Sequence, residues 1–263
     1  MTKEQQVLET IAREMERIPG QLGFYYKNLV TGLEYGIRET DAFLAASVIK
    51  LPLFAHILQR AAEGTLDMEQ KLTVEDWEKM PSCGALNQFT GPVEADIRTL
   101  CRLMIVLSDN TATNKLFRLC GLEQCNNAFR KMGMEKTVVR RLLFDSEAAS
   151  RGLENTICPR EMGRLLEQLY RGTFVREAVC REALEVLLKQ QIDHKLDGRL
   201  CGRLPIAHKT GEDTNLSNDV GIVFAQQPFV VCFAGYDTDV YRWEDLMRRA
   251  AFDLVQAQEG ALS

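Results

Sequence analysis

Between Arg203 and Tyr236 the chain carries three short runs rich in β-branched and aromatic residues, "RLPIAHKTG", "NDVGIVFA" and "FVVCFAGY", which read as three strands. The loop "QQP" joins the last two as a hairpin. A second hairpin is predicted near the N-terminus, where "QLGFYYKNL" and "LEYGIRE" flank "VTG". Strands therefore sit at both ends of the sequence, and strands joined by short turns pair antiparallel. An amphipathic helix lies outside each hairpin. Residues 3–18 place Val7, Leu8, Ile11 and Met15 on one face before Pro19-Gly20 ends the helix. Residues 242–257 do the same with Trp243, Leu246, Met247, Ala250 and Leu254.

The stretch between is helical. "DIRTLCRLMIVLS" repeats Ile97, Leu100, Cys101, Met104 and Ile105 at helical spacing. "TATNKLFRLCG" ends on Gly121 as a C-terminal cap. "NTICPREMGRLLEQLYRG" has Pro159 at a first helical position and Gly172 past the end. Another helix is expected from Arg176 to Gln191. The expected fold class is α+β: an antiparallel sheet flanked by the terminal helices, plus an all-helical lobe. The whole of 1–263 is one domain, its α/β lobe built from about 1–46 plus 195–263 and its helical lobe from about 47–194. A site between two such lobes is the default expectation.

Composition narrows the function class. The net charge of −5 lacks the basic footprint of a nucleic-acid binder. No run of about 18 apolar residues is present, so no transmembrane helix is expected. "MTKEQQVLETIAREMERIPG" has neither an apolar core nor a cleavage site of a signal peptide, so a cytoplasmic protein is expected, export requiring a leader ahead of this sequence. No pair among the eight cysteines has CxxC spacing, so no metal site is expected, and cysteines scattered through apolar runs read as reduced core thiols.

Three polar motifs stand out from this apolar pattern. In "AASVIKLPLF", residues 45–54, Ser47 and Lys50 lie three apart, neighbours on a helix face. Serine needs a base to act as a nucleophile, and a lysine amine desolvated by Val48, Ile49, Leu51 and Leu53 can be one. If Ser47 starts the helix, its backbone N–H is available to an oxyanion. In "LSDNTATNKL", Ser108, Asp109 and Asn110 present a hydroxyl and an amide between two helices. In "AHKTGEDTN", Lys209, Thr210 and Gly211 end a strand, where a lysine and a hydroxyl can hold a carboxylate and the glycine lets backbone come close. Each motif alone has a simple structural explanation: a snorkelling lysine, a helix N-cap, a charged strand exit.

Together, in the order SxxK, SDN, KTG, with 61 residues from Ser47 to Ser108 and 101 from Ser108 to Lys209, they resemble the class A β-lactamase-like serine hydrolases of the penicillin-recognising enzyme family. The resemblance covers nearly the whole chain and implies the two-lobed β-lactamase/transpeptidase-like fold. It implies that Ser47 attacks a lactam carbonyl, that Lys50 takes its proton or tunes the site, and that Ser108 passes a proton to the leaving nitrogen. Asn110 would bind the acylamino group and orient the lysine. Lys209 and Thr210 would bind the substrate carboxylate, and the N–H groups of Ser47 and Glu212 would form the oxyanion hole. Glu212 stands where a small residue is usual in the family. No metal or other cofactor is implied, and the partner is a small β-lactam or peptide-like molecule.

The chain departs from the family between Arg140 and Pro159, "RRLLFDSEAASRGLENTICP". The family's long loop carries a glutamate and, four residues on, an asparagine that hold the hydrolytic water. This loop is shorter. Asp145 falls at the glutamate position with Glu147 close by, either as a base for water or as solvated charge, and no asparagine follows at that spacing. The expected function is a serine β-lactamase working through an acyl-enzyme on Ser47. The altered loop keeps a penicillin-binding, peptidase-like acyltransferase open, the lack of a leader a cytosolic esterase or amidase. A non-catalytic binder of the same fold ranks last.

Overall fold

The computed structural model describes residues 1–259; the final four residues of the expected 195–263 segment lie outside the described residues. Helix α1 (Lys3–Met15) opens on a capping box, in which the Thr2 hydroxyl accepts from Gln5 N and the Gln5 side chain accepts from Thr2 N. Strands β1 (Gln21–Asn28) and β2 (Glu34–Ile37) pair antiparallel, Tyr25 opposite Gly36. Asn28 Oδ1 closes their turn by accepting from Val30 N and Thr31 N. Strand β3 (Phe43–Leu44) leads to a 3-10 turn at Ala46–Ile49 that runs directly into α2 (Lys50–Ala62). Strands β4 (Lys71–Val74) and β5 (Val93–Asp96) pair antiparallel. Next come α3 (Ile97–Val106), α4 (Asn110–Cys120), α5 (Leu122–Lys131) and the short α6 (Ser146–Ser150). Strand β6 (Thr156–Ile157), α7 (Pro159–Arg171) and α8 (Glu177–Leu187) follow. The chain closes with β7 (Ile206–Asp213), β8 (Leu216–Val223), β9 (Phe229–Tyr236) and α9 (Val240–Glu259).

By contacts these elements form two compact units. The first holds residues 1–48, 157–167 and those from Asp193 onward; the second holds Ile49–Thr156 and Gln168–Ile192. The first is built on an antiparallel five-stranded sheet of order β2-β1-β9-β8-β7. Strand β8 is buried at every position, which explains why its sequence lacks polar alternation. Leu8, Ile11 and Met15 of α1 and Trp243, Leu246, Met247, Ala250 and Leu254 of α9 share one core with Phe24, Tyr26, Val231 and Phe233 of the sheet. Each leucine, isoleucine, valine, methionine and phenylalanine among them contributes about 1.5–3 kcal/mol by leaving water. Trp243 fixes α9 on the sheet, its ring edge-on to Phe233 and its Nε1–H donating to Ser217 O at 2.9 Å.

In the second unit α2 packs against α3, α4, α5 and α8. Residues Lys50 to Leu58 are all buried, the mark of a helix enclosed on every side. Lys50 must therefore find its hydrogen-bond partners inside the protein.

Four sequence expectations are corrected in detail. The helical unit also contains the β4–β5 pair, whose four-residue strands are too short to show a clear period. Residues 157–167, expected in the helical lobe, group with the sheet. Helix α8 stops at Leu187, short of Gln191, whose N–H bonds Val106 O instead. Lys209, Thr210 and Gly211 do not end a strand but lie within β7, opposite Val220, Asp219 and Asn218. The turn comes later, at Thr214–Asn215, where Asn215 adopts φ +54°.

Candidate active site

In the sheet unit, half-buried Ser47 sits in the turn Ala46–Ile49. The preceding Ala46 has φ +40°, a conformation that costs a non-glycine residue about 1–3 kcal/mol and must be held by its surroundings. Asn218 of β8 does this. It is fully buried, and its Nδ2 donates to Leu44 O at 2.9 Å and Ala45 O at 3.1 Å. Its Oδ1 accepts from Gly235 N at 2.9 Å. Across from it, a Cβ on Gly211 would stand 3.1 Å from both Ser47 N and Val48 N and 3.0 Å from Ala45 O. The backbone of β7 thus passes directly over the Ser47 amide, which is the reason for a glycine there. Lys209 and Gly211, two apart, share that strand face. Lys209 is fully buried and its Nζ donates to Thr210 O at 2.7 Å; Thr210 is buried too.

Glu212 belongs to a charge cluster at this edge. Its Oε1 lies 2.9 Å from Lys195 Nζ and 3.4 Å from His194 Nε2. Lys195 is fully buried and its Nζ also donates to Gly211 O at 3.3 Å and Asn218 O at 3.1 Å. Nothing in "DHKLDG" marks this lysine as a buried cation. Asn218 gave no signal of its own, because it stands between Ser217 and Asp219 in a polar run that reads as a strand end. His194, Glu212 and Glu244 could form a metal set, but the Lys195 ammonium already supplies positive charge there.

The same cluster carries a pH dependence. Burial pushes the Glu244 carboxyl up, but His194, a hydrogen bond from Ser217 Oγ at 2.8 Å and Lys195 together pull it down to about 2. The His194 ring is raised, chiefly by Glu244 against burial. A depressed carboxyl stabilises the fold above its ordinary value near 4.5, and that contribution is lost as pH falls toward 2. A raised histidine stabilises below about 6.5 and loses its contribution as pH rises through its folded value. Glu244→Gln is therefore expected to lower stability by on the order of 3 kcal/mol at pH 6, from the fall from 4.5 to about 2. The gap to wild type should close by pH 2. Urea unfolding across pH 2–7 checks this; a gap that stays constant with pH would contradict it.

In the helical unit, Lys50 Nζ donates to Ser108 O at 2.8 Å, Ser108 Oγ at 2.9 Å and Asn110 Oδ1 at 2.8 Å. Ser108 is buried and takes φ +53°, which turns its carbonyl and hydroxyl to the same amine. Asn110 is oriented from behind, its Nδ2 donating to Pro81 O at 3.1 Å. Asp109 is the frame of this turn. Its Oδ1 caps α4 by accepting from Ala112 N at 2.8 Å, and its Oδ2 accepts from Ala85 N at 2.7 Å and Leu86 N at 2.9 Å.

The loop after Arg140 is closed at its base by the Val138–Thr156 bridge, by Asn155, which holds Arg140 N and Arg141 N, and by the Arg141–Glu154 pair at 2.7 Å. Asp145 is the N-cap of α6, its Oδ1 accepting from Ala148 N at 2.9 Å. Glu147 has its side chain 83% exposed and pairs with Arg151 at 3.3 Å, which supports the solvated-charge reading. The residue the structure singles out is Leu143. Buried Asn114 accepts from Leu143 N at 2.8 Å and donates to Leu143 O at 3.0 Å. Asn114 lies one helical turn beyond Asn110 on α4. Loop residues carry no period, so this anchoring was not legible in the sequence.

The family model of the "Beta-lactamase enzyme family" matches residues 6–258. Beta-lactamase L2 of Stenotrophomonas maltophilia is 24% identical over 211 residues, covering 79% of this chain and 69% of that protein. A beta-lactamase of Rhodobacter capsulatus is 29% identical over 166 residues, covering 62% of this chain and 56% of that protein, so the chain spans little more than half its length. Among solved structures, PBP-A superposes with a TM-score of 0.85 at 27% identity, over 98% of this chain and 96% of that one. A mutant of PBP-A, 26% identical to this chain with a TM-score of 0.85 over 98% of this chain and 96% of that one, is described as an acyl-enzyme complex with penicillin G. A family match over nearly the whole sequence, joined to this fold, decides the membership: the chain belongs to the beta-lactamase enzyme family, hydrolases that act on β-lactams.

Proposed function

We propose that the protein is a class A-like serine hydrolase that opens the β-lactam amide through an acyl-enzyme on Ser47, with deacylation as its slow step. The observation that carries this reading is the set of contacts around Lys50. A neutral amine has two hydrogens and one lone pair. Among the oxygens Lys50 faces, the Ser108 carbonyl and the Asn110 amide oxygen can only accept, whereas the Ser108 hydroxyl can reverse and donate to a neutral Nζ. This contact supports proton exchange between Lys50 and Ser108. In the proposed reaction Ser47 Oγ bonds to the lactam carbonyl carbon as its proton passes to Lys50. The ring C–N bond then breaks, the nitrogen takes the Ser108 proton, and Lys50 restores it. The N–H groups of Ser47 and Glu212 take the oxyanion, a role supported by the close passage of β7 over the Ser47 amide. Lys209 and Thr210 bind the substrate carboxylate, and Asn110 its acylamino group. The scheme uses no cofactor.

The loop favours a second reading, a penicillin-binding acyltransferase. Asp145 caps a helix and Glu147 faces solvent, so neither is poised to activate water. The acyl-enzyme described for the PBP-A mutant is in keeping with this. Stopped-flow nitrocefin kinetics with intact-mass spectrometry test both. The expected result is a burst of one equivalent, an adduct on Ser47, and a slow steady state; Ser47→Ala loses burst and adduct. Turnover without a burst would overturn slow deacylation. Turnover falling to zero after the burst would favour the acyltransferase. Hydrolysis of simple p-nitrophenyl esters with no lactam adduct would point to the esterase, and inertness to fluorophosphonates to a binder.

A further inference from the structure

A second cluster of chemically potent side chains lies in the helical unit, apart from the residues placed in the reaction. One His56 ring nitrogen and the Cys120 and Cys125 sulfurs all lie within 4.8 Å of one another. We propose that His56, Cys120 and Cys125 bind one zinc(II) ion, which clamps α2, α4 and α5 together.

The His56 side chain supplies the first argument. It is 8% exposed, and both ring nitrogens are buried with no hydrogen-bond partner among the described residues. A buried polar ring left unpaired costs about 1–3 kcal/mol, and a metal bond to one nitrogen removes part of that cost. The donor set supplies the second. Two thiols and an imidazole are soft ligands that suit zinc, at about 2.3 Å for sulfur and about 2.0 Å for nitrogen. Tetrahedral ligands at those lengths stand about 3.5 Å apart, so the observed spread requires only about 1 Å of closure. Two thiolates neutralise the ion, so nearby Arg60 meets no net positive charge. The third argument is access. A groove of about 320 Å³, lined by His56, Gln59, Arg60, Glu63, Gln124 and Asn127, opens onto the His56 edge of the cluster and offers an entry path for an ion.

The chain brings these residues together by a helix corner. Cys120 is the last residue of α4, Gly121 turns the backbone at φ +79°, and Cys125 lies in the first turn of α5. A C-x4-C spacing split by a glycine corner therefore does what CxxC does in a tight loop. Lys50 opens α2 and Asn110 opens α4, so the ion would tie the far stretches of the two helices whose first residues hold each other.

The test is zinc uptake by the reduced, chelator-stripped protein, measured against a chromophoric chelator. One zinc per chain is expected, with a rise in melting temperature that excess chelator reverses. Cobalt(II) in its place should show a thiolate-to-cobalt charge-transfer band and the strong ligand-field bands of a tetrahedral site. Cys120→Ser, Cys125→Ser and His56→Gln should each weaken zinc binding by about a hundredfold or more, since even outer-shell changes cost 10–100-fold. Cys201→Ser, at an exposed cysteine, should leave it unchanged. No uptake by protein with a native melt overturns the proposal, as does a cobalt spectrum lacking the thiolate band. Uptake indifferent to all three substitutions overturns it as well. Because the cobalt spectrum is read on wild type, a variant that fails to fold does not leave the question open.

Discussion

Lys50→Met is expected to slow acylation by nitrocefin by about 10³-fold, within the 10²–10⁴ that a positioned general base contributes. Methionine approximates the length and volume of the lysine stem, so packing inside α2 is largely kept. What is lost is the nitrogen that bridges Ser108 O, Ser108 Oγ and Asn110 Oδ1. In the proposed scheme the substitution removes both the acceptor for the Ser47 proton and the donor that restores Ser108. The burst phase should therefore become slow, with an amplitude near one equivalent as long as acylation still outruns deacylation. A melting curve on the same sample confirms that the variant is folded. A burst rate within tenfold of wild type would remove Lys50 from the proton path.

Leu143→Glu is expected to accelerate deacylation by about 10²-fold, the lower end of what a general base supplies. Asn114 clamps the backbone of residue 143 from both sides, and sits one turn along α4 from Asn110, which contacts Lys50. A carboxylate there would stand on a backbone anchored to α4, the helix that also carries Asn110. Asp145 and Glu147 are spent on a helix cap and on solvent. The measurement is the steady-state rate after the nitrocefin burst, with loss of the adduct followed by mass. Asp145→Asn and Glu147→Gln serve as the comparison, and each should change deacylation by less than about threefold. If either slows deacylation strongly, or if Leu143→Glu does nothing to a correctly folded protein, the reading of this loop is wrong.

These contrasts mark where sequence reasoning reached. The terminal helices and most of the five-stranded sheet were legible, because Leu8, Ile11 and Met15, or Trp243, Leu246 and Ala250, repeat at the helical period, and because β9 is a continuous apolar run and β8 is one from Val220 onward. SxxK, SDN and KTG were legible as motifs, since each joins residue types whose chemistry is rare in apolar segments. The contacts of Lys50 were not. A lysine inside an apolar helix announces a buried amine, but not which oxygens will face it. Asp145 was picked out because it bears a carboxylate at the right count along the chain; that it also caps α6 is set by hydrogen bonding that no count records.

By itself the sequence determined the periods, and so the elements, their antiparallel pairing and the three polar interruptions. Those are local properties, encoded in side-chain spacing and turn residues within a few positions of each other. Tertiary structure decided everything that depends on which distant groups meet. Asn218 reaches the turn of Ser47, Lys195 lies under β7, Asn114 grips Leu143, and a glycine corner brings Cys120 and Cys125 to His56. Hydrogen bonds and metal ligation are short-ranged and directional. Their partners are set by packing across the fold, and no spacing along the chain records them.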